Sequence, residues 1–353
     1  MVKNGSLGNT TVNVSPLKWD ENNLSLISKK DTKRDKKWML LNKVQELLKD
    51  TNSRVLNCQK TIGKIEIQRS GEVSRLGGVM ACGSVWLCPV CSQRIAFERC
   101  EMIRKASQSG FNMLLVTATL QHNKGDKLEV LLDALKEALR KLKQGKWWKT
   151  FRERFGVEAY VPSYEITYGS NGWHPHTHIL VFVSKELDID DFWQRLKKKY
   201  VKVVSRVGQY ASLYHGLDVE KADENAGDYL TKWSLGSEIT GQFSKSGKGL
   251  TFWDLVEKEK RDLVLEYASA TYGLKSLTWS HGAKEKLGVK DFEVEKSKDW
   301  ETVTSVSDAL WKVIRSEALQ GVILRLAVAD DNGQALNDYL GKLEKVRFEN
   351  GRV

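Results

Sequence analysis

Apolar positions change period along this chain, and the changes mark its elements. Met39, Leu40, Val44, Leu47 and Leu48 fall at helical spacing and predict a short helix from Lys37 to Leu48. Ile62, Ile65 and Ile67 predict a strand, the last two alternating with polar neighbours, and Gly71, Gly77 and Gly78 mark turns. Gln93 to Ala106 reads as a helix. Phe111 to Leu120 is nearly continuous in apolar, β-prone residues and predicts a strand. Leu128, Leu131, Leu132, Leu135, Leu139 and Leu142 then line one face of a core-facing helix.

Val157 to Tyr168 predicts a second strand, Asn171-Gly172 a turn, and His176 to Val183 a third strand antiparallel to the second. Asp188 to Val203 reads as an amphipathic, very basic helix with Asp188 as its N-cap. Leu213 to Val219 predicts a fourth strand, Ala222 to Trp233 a helix, and Gly241 to Gly249 a linker. The order strand, helix, strand, strand, helix, strand is a split βαβ pattern. It predicts an α+β fold with a central antiparallel sheet and helices packed on it. The predicted organisation is a basic N-terminal arm and short helix (1–50), a cysteine-rich module (51–107), the sheet domain (108–240) and a mostly helical C-terminal region (250–353).

The chain has 353 residues, 41% of them hydrophobic, which suffices for more than one core. No apolar run approaches the ~18 residues of a membrane helix, and the polar first thirty residues contain no signal-peptide core. The expectation is a soluble, cytoplasmic protein. A net charge of +11 favours a polyanionic partner such as nucleic acid. Cations on the basic helix (Arg195, Lys197, Lys198, Lys199) and in the run from Lys29 to Lys37 are candidate phosphate contacts. Trp147 and Trp148 are candidates for stacking on unpaired bases, or for core packing.

Three of the five cysteines lie in Cys82-x5-Cys88-Pro-x-Cys91, and a Cys-Pro-x-Cys knuckle sets two thiolates close enough to share a tetrahedral ion. Cys58, upstream across a predicted hairpin, is the natural fourth ligand of a structural Zn²⁺. Cys100 falls in a helical segment and reads as a buried free thiol. The segment Trp173-His174-Pro175-His176-Thr177-His178 holds three of the six histidines. On a strand, His176 and His178 point the same way, with His174 upstream. The hairpin brings Glu165 beside them. Two imidazoles and a carboxylate leave coordination positions open, as catalytic metal sites do, and suit Mn²⁺ or Mg²⁺. Tyr229 and Lys232 share a helix face and are candidates for nucleophile and phosphate contact.

Three landmarks occur in order: Leu115-Val116-Thr117-Ala118-Thr119, Gly172-Trp173-His174-Pro175-His176-Thr177-His178-Ile179-Leu180 and Ala226-Gly227-Asp228-Tyr229-Leu230-Thr231-Lys232-Trp233. With the cysteine segment upstream, they resemble the replication initiators of rolling-circle plasmids, within the HUH (His-hydrophobic-His) endonuclease superfamily. The resemblance covers residues 55 to 235 and continues weakly to Gly282. It implies an HUH-endonuclease core, with His176 and His178 as the metal pair and Tyr229 as the catalytic tyrosine. It also implies binding to a plasmid double-strand origin, exposed as single strand at the nick. There the chain would nick and rejoin one strand through a 5′-phosphotyrosine, and host helicase and DNA polymerase would follow. The host implied is bacterial or archaeal. Trp233 stands where many relatives have a second tyrosine. Asn225 stands where some carry a water-activating glutamate, and Glu224 lies one residue back, turned by ~100° on a helix. The alternatives are a relaxase or transposase of the same superfamily, or a non-enzymatic zinc-dependent DNA-binding protein.

Overall fold

The computed structural model describes residues 7–11, 29–222, 249–290 and 299–349. In chain order its strands are β1 (Leu7–Thr11), β2 (Thr61–Ser70), β3 (Val73–Val79), β4 (Asn112–Thr119), β5 (Val157–Gly169), β6 (Gly172–Val183), β7 (Leu217–Ala222), β8 (Gly249–Leu250) and β9 (Glu301–Val306). The helices are α1 (Lys29–Leu47), α2 (Pro89–Ser107), α3 (Leu128–Leu142), α4 (Gly145–Phe155), α5 (Ile189–Arg206), α6 (Phe252–Glu257), α7 (Arg261–Ala270), α8 (Ala283–Lys286), α9 (Asp308–Ser316), α10 (Gln320–Leu326) and α11 (Gln334–Glu349). They form two compact units. One comprises Met1–Ile95, Ile239–Gln242 and Glu293–Val353; the other comprises Ala96–Glu238 and Phe243–Phe292.

The second unit is a five-stranded sheet of order β7-β4-β6-β5-β8, with every pairing antiparallel. Numbered by the predicted strands, its first four stand in the order 4-1-3-2, as the split βαβ pattern requires. The predicted fold class, α+β with antiparallel sheets, is thus observed. One face of the sheet carries Leu114, Val116, Ala118, Ile179 and Val181 under Leu135, Leu139 and Leu142 of α3, Phe151 and Phe155 of α4, and Phe192, Leu196 and Tyr200 of α5. Each leucine fully buried there contributes roughly 1.5–3 kcal/mol. Asp188 caps α5 as expected, accepting hydrogen bonds from the Asp190 and Asp191 amides.

The opposite face is apolar over only part of its length. Met113, Leu115, Ala159, Val161, Leu180 and Phe182 pack beneath Ile103 and Ala106 of α2 and Ala283, Leu287 and Val289. Along β6 that face then turns polar at His178, His176 and His174. This change of polarity within one strand positions the site.

Two segments of this unit differ from the sequence reading. The fourth strand was expected from Leu213 but begins at Leu217, because 212–216 form a tight turn closed by the Gly216 amide donating to the Ser212 carbonyl (2.8 Å). Helix α4 was not anticipated. It stops at Gly156, whose backbone is left-handed (φ 63°) and where a Cβ would come within 2.7 Å of Ser184 Oγ. The predicted helix beyond Ala222 and the linker up to 248 lie outside the described residues; Ala222 itself ends β7 and Gly249 begins β8.

The first unit holds a four-stranded sheet of order β1-β3-β2-β9. One expectation is corrected here and one is extended. The basic run from Lys29 to Lys37, read as part of a basic N-terminal arm ahead of the helix, lies within α1. Asp35 and Lys37 are buried there: Asp35 accepts two bonds from Arg325 (2.8 and 2.6 Å), and Lys37 donates to Gln93 (2.9 Å). Burial lowers the Lys37 ammonium to about 8. Second, the C-terminal region, read as mostly helical, also supplies β9, which pairs with β2 from Ile65↔Val306 to Arg69↔Glu301. Its Thr302, Val303, Thr304 and Val306 are β-branched residues that fit a pleated surface.

Candidate functional site

Strand register assembles the polar end of the sheet. In β5 and β6, Glu165 opposes His176 and Ser163 opposes His178. In β4 and β6, Thr117 opposes His178 and Thr119 opposes His176. Directly opposed residues share a face, so Thr117, Thr119, His176, His178 and Glu165 all project from the half that α2 and α8 leave uncovered. The hairpin that sets this register turns at Gly172 (φ 85°), where a Cβ would lie 2.9 Å from Lys124 Cα.

The geometry is tight. Glu165 Oε2 lies 2.8 Å from His176 Nε2 and 3.0 Å from His178 Nε2. The three offer ligand atoms all within 4.8 Å of one another, a set able to hold a metal ion. Burial pushes the Glu165 carboxyl up, but hydrogen bonds with His176 and His178 outweigh it and hold it well below the usual carboxylate range. His178 Nδ1 meets Thr117 Oγ1 at 3.0 Å, and His176 Nδ1 faces the His174 carbonyl at 3.5 Å. Both rings are therefore held by their Nδ1 edges with Nε2 aimed at the carboxylate, the arrangement found behind metal-bound imidazoles. His174, the reserve ligand, turns away: its Nε2 meets Thr119 Oγ1 at 3.0 Å and its ring stacks on His122 at 4.7 Å. Burial, with His176 and His122 alongside, lowers the His174 imidazole to about 4.

Thr117, Thr119 and His122 had no assigned roles in the sequence reading. The alternation of Thr117 and Thr119 in phase with Leu115 was the available sign. What it lacked was the β4–β6 register.

The four cysteines also converge. Cys58, Cys82, Cys88 and Cys91 are buried, with sulfur separations of 3.5 Å (Cys58–Cys88), 3.8 Å (Cys58–Cys91) and 3.8 Å (Cys82–Cys91). A tetrahedron with Zn–S bonds of about 2.3 Å has edges of about 3.8 Å, so the sulfurs fit a zinc ion. Pro89 opens α2, which places Cys88 before its first turn and Cys91 within it, at the positive end of the helix dipole. The Ser84 amide donates to Cys82 Sγ (3.5 Å) and the Cys91 amide to Cys88 Sγ (3.4 Å). Hydrogen bonds from Cys58, then Cys82 and Cys88, hold the Cys91 thiol far below its ordinary value, so the cluster favours at least one thiolate. Cys100 sits on α2 outside the cluster, half-buried rather than buried.

The basic helix is less uniform than its sequence. Arg195 pairs with Asp191 (2.6 Å), Lys197 is buried with its ammonium 3.5 Å from the Trp193 ring centroid, and Lys199 lies over Trp147 (5.2 Å). Of the four predicted phosphate contacts, Arg195 and Lys198 are exposed. Trp147 and Trp148 stack on Phe151 at the margin of the core. Tyr229, Lys232 and Glu224 lie outside the described residues. Among the described residues, no helix is long and apolar enough to cross a membrane.

Residues 74–207 match the protein family described as Replication protein. The span includes three of the four clustered cysteines and the whole triad, and ends before β7. Protein rep of Streptomyces lividans is 23% identical over 373 aligned residues, covering 82% of this chain and 79% of that protein. A Neomycin resistance protein of Streptomyces cyanogenus is 33% identical over 135 residues, 30% of this chain and 31% of that protein. Protein rep of a Bacillus species is 30% identical over 131 residues, 34% of this chain and 41% of that protein. No solved structure matches the chain significantly.

Proposed function

We propose that the chain, whose residues 74–207 match the family described as Replication protein, initiates rolling-circle replication by nicking and rejoining one strand at a plasmid origin. The observation that carries the reading is the convergence of Glu165, His176 and His178 at the polar end of one sheet face. A divalent cation bound there, Mn²⁺ or Mg²⁺, supplies Lewis-acid polarisation of a phosphate. His176 and His178 offer their Nε2 atoms and Glu165 a carboxylate oxygen, while Thr117 and the His174 carbonyl hold the opposite ring edges.

Tyr229 is the proposed nucleophile. Its phenol oxygen attacks the scissile phosphorus, the new bond joins tyrosine to the 5′ phosphate, and the bond to the 3′ oxygen breaks. The phenolic proton passes to solvent, and the leaving oxygen becomes the 3′ hydroxyl that primes a host polymerase behind a host helicase. Attack by a 3′ hydroxyl on the phosphotyrosine reverses the step, so rejoining requires no nucleotide cofactor. Tyr229 follows Ala222 by seven residues, a chain reach of about 24 Å. The span along β4 from Met113, opposite Ala222, to Thr117 is about 14 Å, so the phenol is within reach of the triad. Lys232 would contact the phosphate, and Glu224 or Asp228 would serve the water that ends a round. A zinc ion at Cys58, Cys82, Cys88 and Cys91 would cross-link the cysteine module.

The test is incubation of the protein with a labelled single-stranded origin oligonucleotide and Mn²⁺. A covalent adduct is expected. Tyr229→Phe should abolish it while origin binding persists, and undiminished cleavage by that variant would remove Tyr229 from the mechanism. Adduct-free wild-type protein that still binds the origin would favour the non-enzymatic reading.

A further inference from the structure

Helix α5 and the turn after it carry side chains that the nicking chemistry does not use. Lys198, Lys202 and Arg206 are exposed and recur at every fourth residue, so they form a stripe along α5. The stripe leads into a turn that holds Tyr210, 64% exposed, Tyr214, 84% exposed, and Leu213.

This turn is built, not slack. Ala211 is buried in the core beneath the sheet. Ser212 Oγ accepts from the amides of Tyr214 (3.0 Å) and His215 (3.3 Å). A Cβ at Gly216 would come within 2.5 Å of the Ser212 carbonyl, so the closure leaves no room for a side chain there. The turn is also tied to the site. The Gln121 amide donates to the Tyr210 carbonyl (2.8 Å) and the Thr119 amide to the Gly216 carbonyl (3.0 Å), and Thr119 opposes His176. The rings thus stand at the end of the sheet that carries the triad.

We propose that α5, which covers the sheet face opposite the triad, and this turn, at the triad's end of the sheet, form a track for single-stranded DNA, with phosphates along Lys198, Lys202 and Arg206 and unpaired bases stacked on Tyr210 and Tyr214. The inference rests on the nicking function above and names the surface that takes its substrate. A cationic stripe running into exposed rings is the pairing that single-strand binding uses. Three exposed apolar side chains fall far short of the roughly 20–30 residues of a stable protein interface, whereas one ring suffices for one base. Duplex DNA keeps its bases stacked and offers the rings nothing.

The experiment is fluorescence anisotropy of a labelled oligothymidylate of about twenty nucleotides in EDTA, beside a duplex of equal length. Tyr210→Ala and Tyr214→Ala should each weaken single-strand binding about tenfold, with duplex binding unchanged and Tyr214→Phe like the parent. Replacing Lys198, Lys202 and Arg206 together by Gln should flatten the dependence of log affinity on log salt by about 2. Parental affinity in both alanine variants overturns the track, as does equal loss in the phenylalanine variant or equal loss on duplex. A protein that shows the ring dependence but forms no Mn²⁺-dependent adduct keeps the track and loses the nicking function; the reverse result keeps the function and loses the track.

Discussion

Thr117 Oγ1 lies 3.0 Å from His178 Nδ1, across the ladder pair that sets the two residues opposite each other. The contact fixes which imidazole nitrogen faces Glu165, and outer contacts of this kind tune metal affinity by roughly 10–100-fold. Thr117→Val keeps the shape and removes the hydroxyl, so calorimetric titration should show Mn²⁺ affinity falling within that range. Thr117→Ser should retain most of it. Unchanged affinity in the valine variant would show that the hydroxyl does not position the ring.

Glu165 supplies the only carboxylate of the triad. Glu165→Gln should lower Mn²⁺ affinity at least tenfold. In metal-free protein the same change has a pH signature. The folded carboxyl sits below its ordinary value of 4.5, so its contribution to stability is complete above that pH and is lost as acid protonates it. The melting temperatures of parent and variant should therefore differ most near neutrality and converge below about pH 4.5. A difference that grows with acid would contradict the inferred direction.

The thiol cluster predicts about one zinc per chain by elemental analysis, lost in Cys88→Ser along with a marked drop in melting temperature. Chelation should have the same effect on the parent and none on the variant. Rapid reaction of all five cysteines with a thiol reagent in the native state would count against the site.

Asp35 and Arg325 form a buried pair with two hydrogen bonds. Arg325→Met should destabilise by about 3–5 kcal/mol, because the carboxylate is left buried and uncompensated. Adding Asp35→Leu should recover much of that loss in urea titrations. Equal destabilisation in single and double variants would mean the ion pair is not the source.

The triad was legible in the sequence because strand geometry is periodic. Alternation puts His176 and His178 on one face, and the Asn171-Gly172 turn fixes which residue of β5 comes opposite. The cysteine cluster was legible from its knuckle spacing. The missing parts depended on partners far along the chain. Nothing near Asp35 announces Arg325, 290 residues away, so a basic run looked like a solvated arm. Lys197 looked like a phosphate contact because its neighbours are basic, yet it borders the buried stripe of Leu196 and Tyr200 and snorkels onto Trp193. Helix α4 was hidden in a lysine-rich stretch, although Trp147, Phe151 and Phe155 repeat at helical spacing.

The pairing of β9 with β2 bears on how this protein can be dissected. A truncation before Glu301 would leave the backbone amides and carbonyls of β2 from Ile65 to Arg69 unpaired along one side, an open template for association with other chains. It would also strand Asp35 without its guanidinium. Fragments meant to isolate the cysteine-bearing unit must therefore carry both extremities of the polypeptide, and clipping the tail should yield aggregates, not a smaller folded protein.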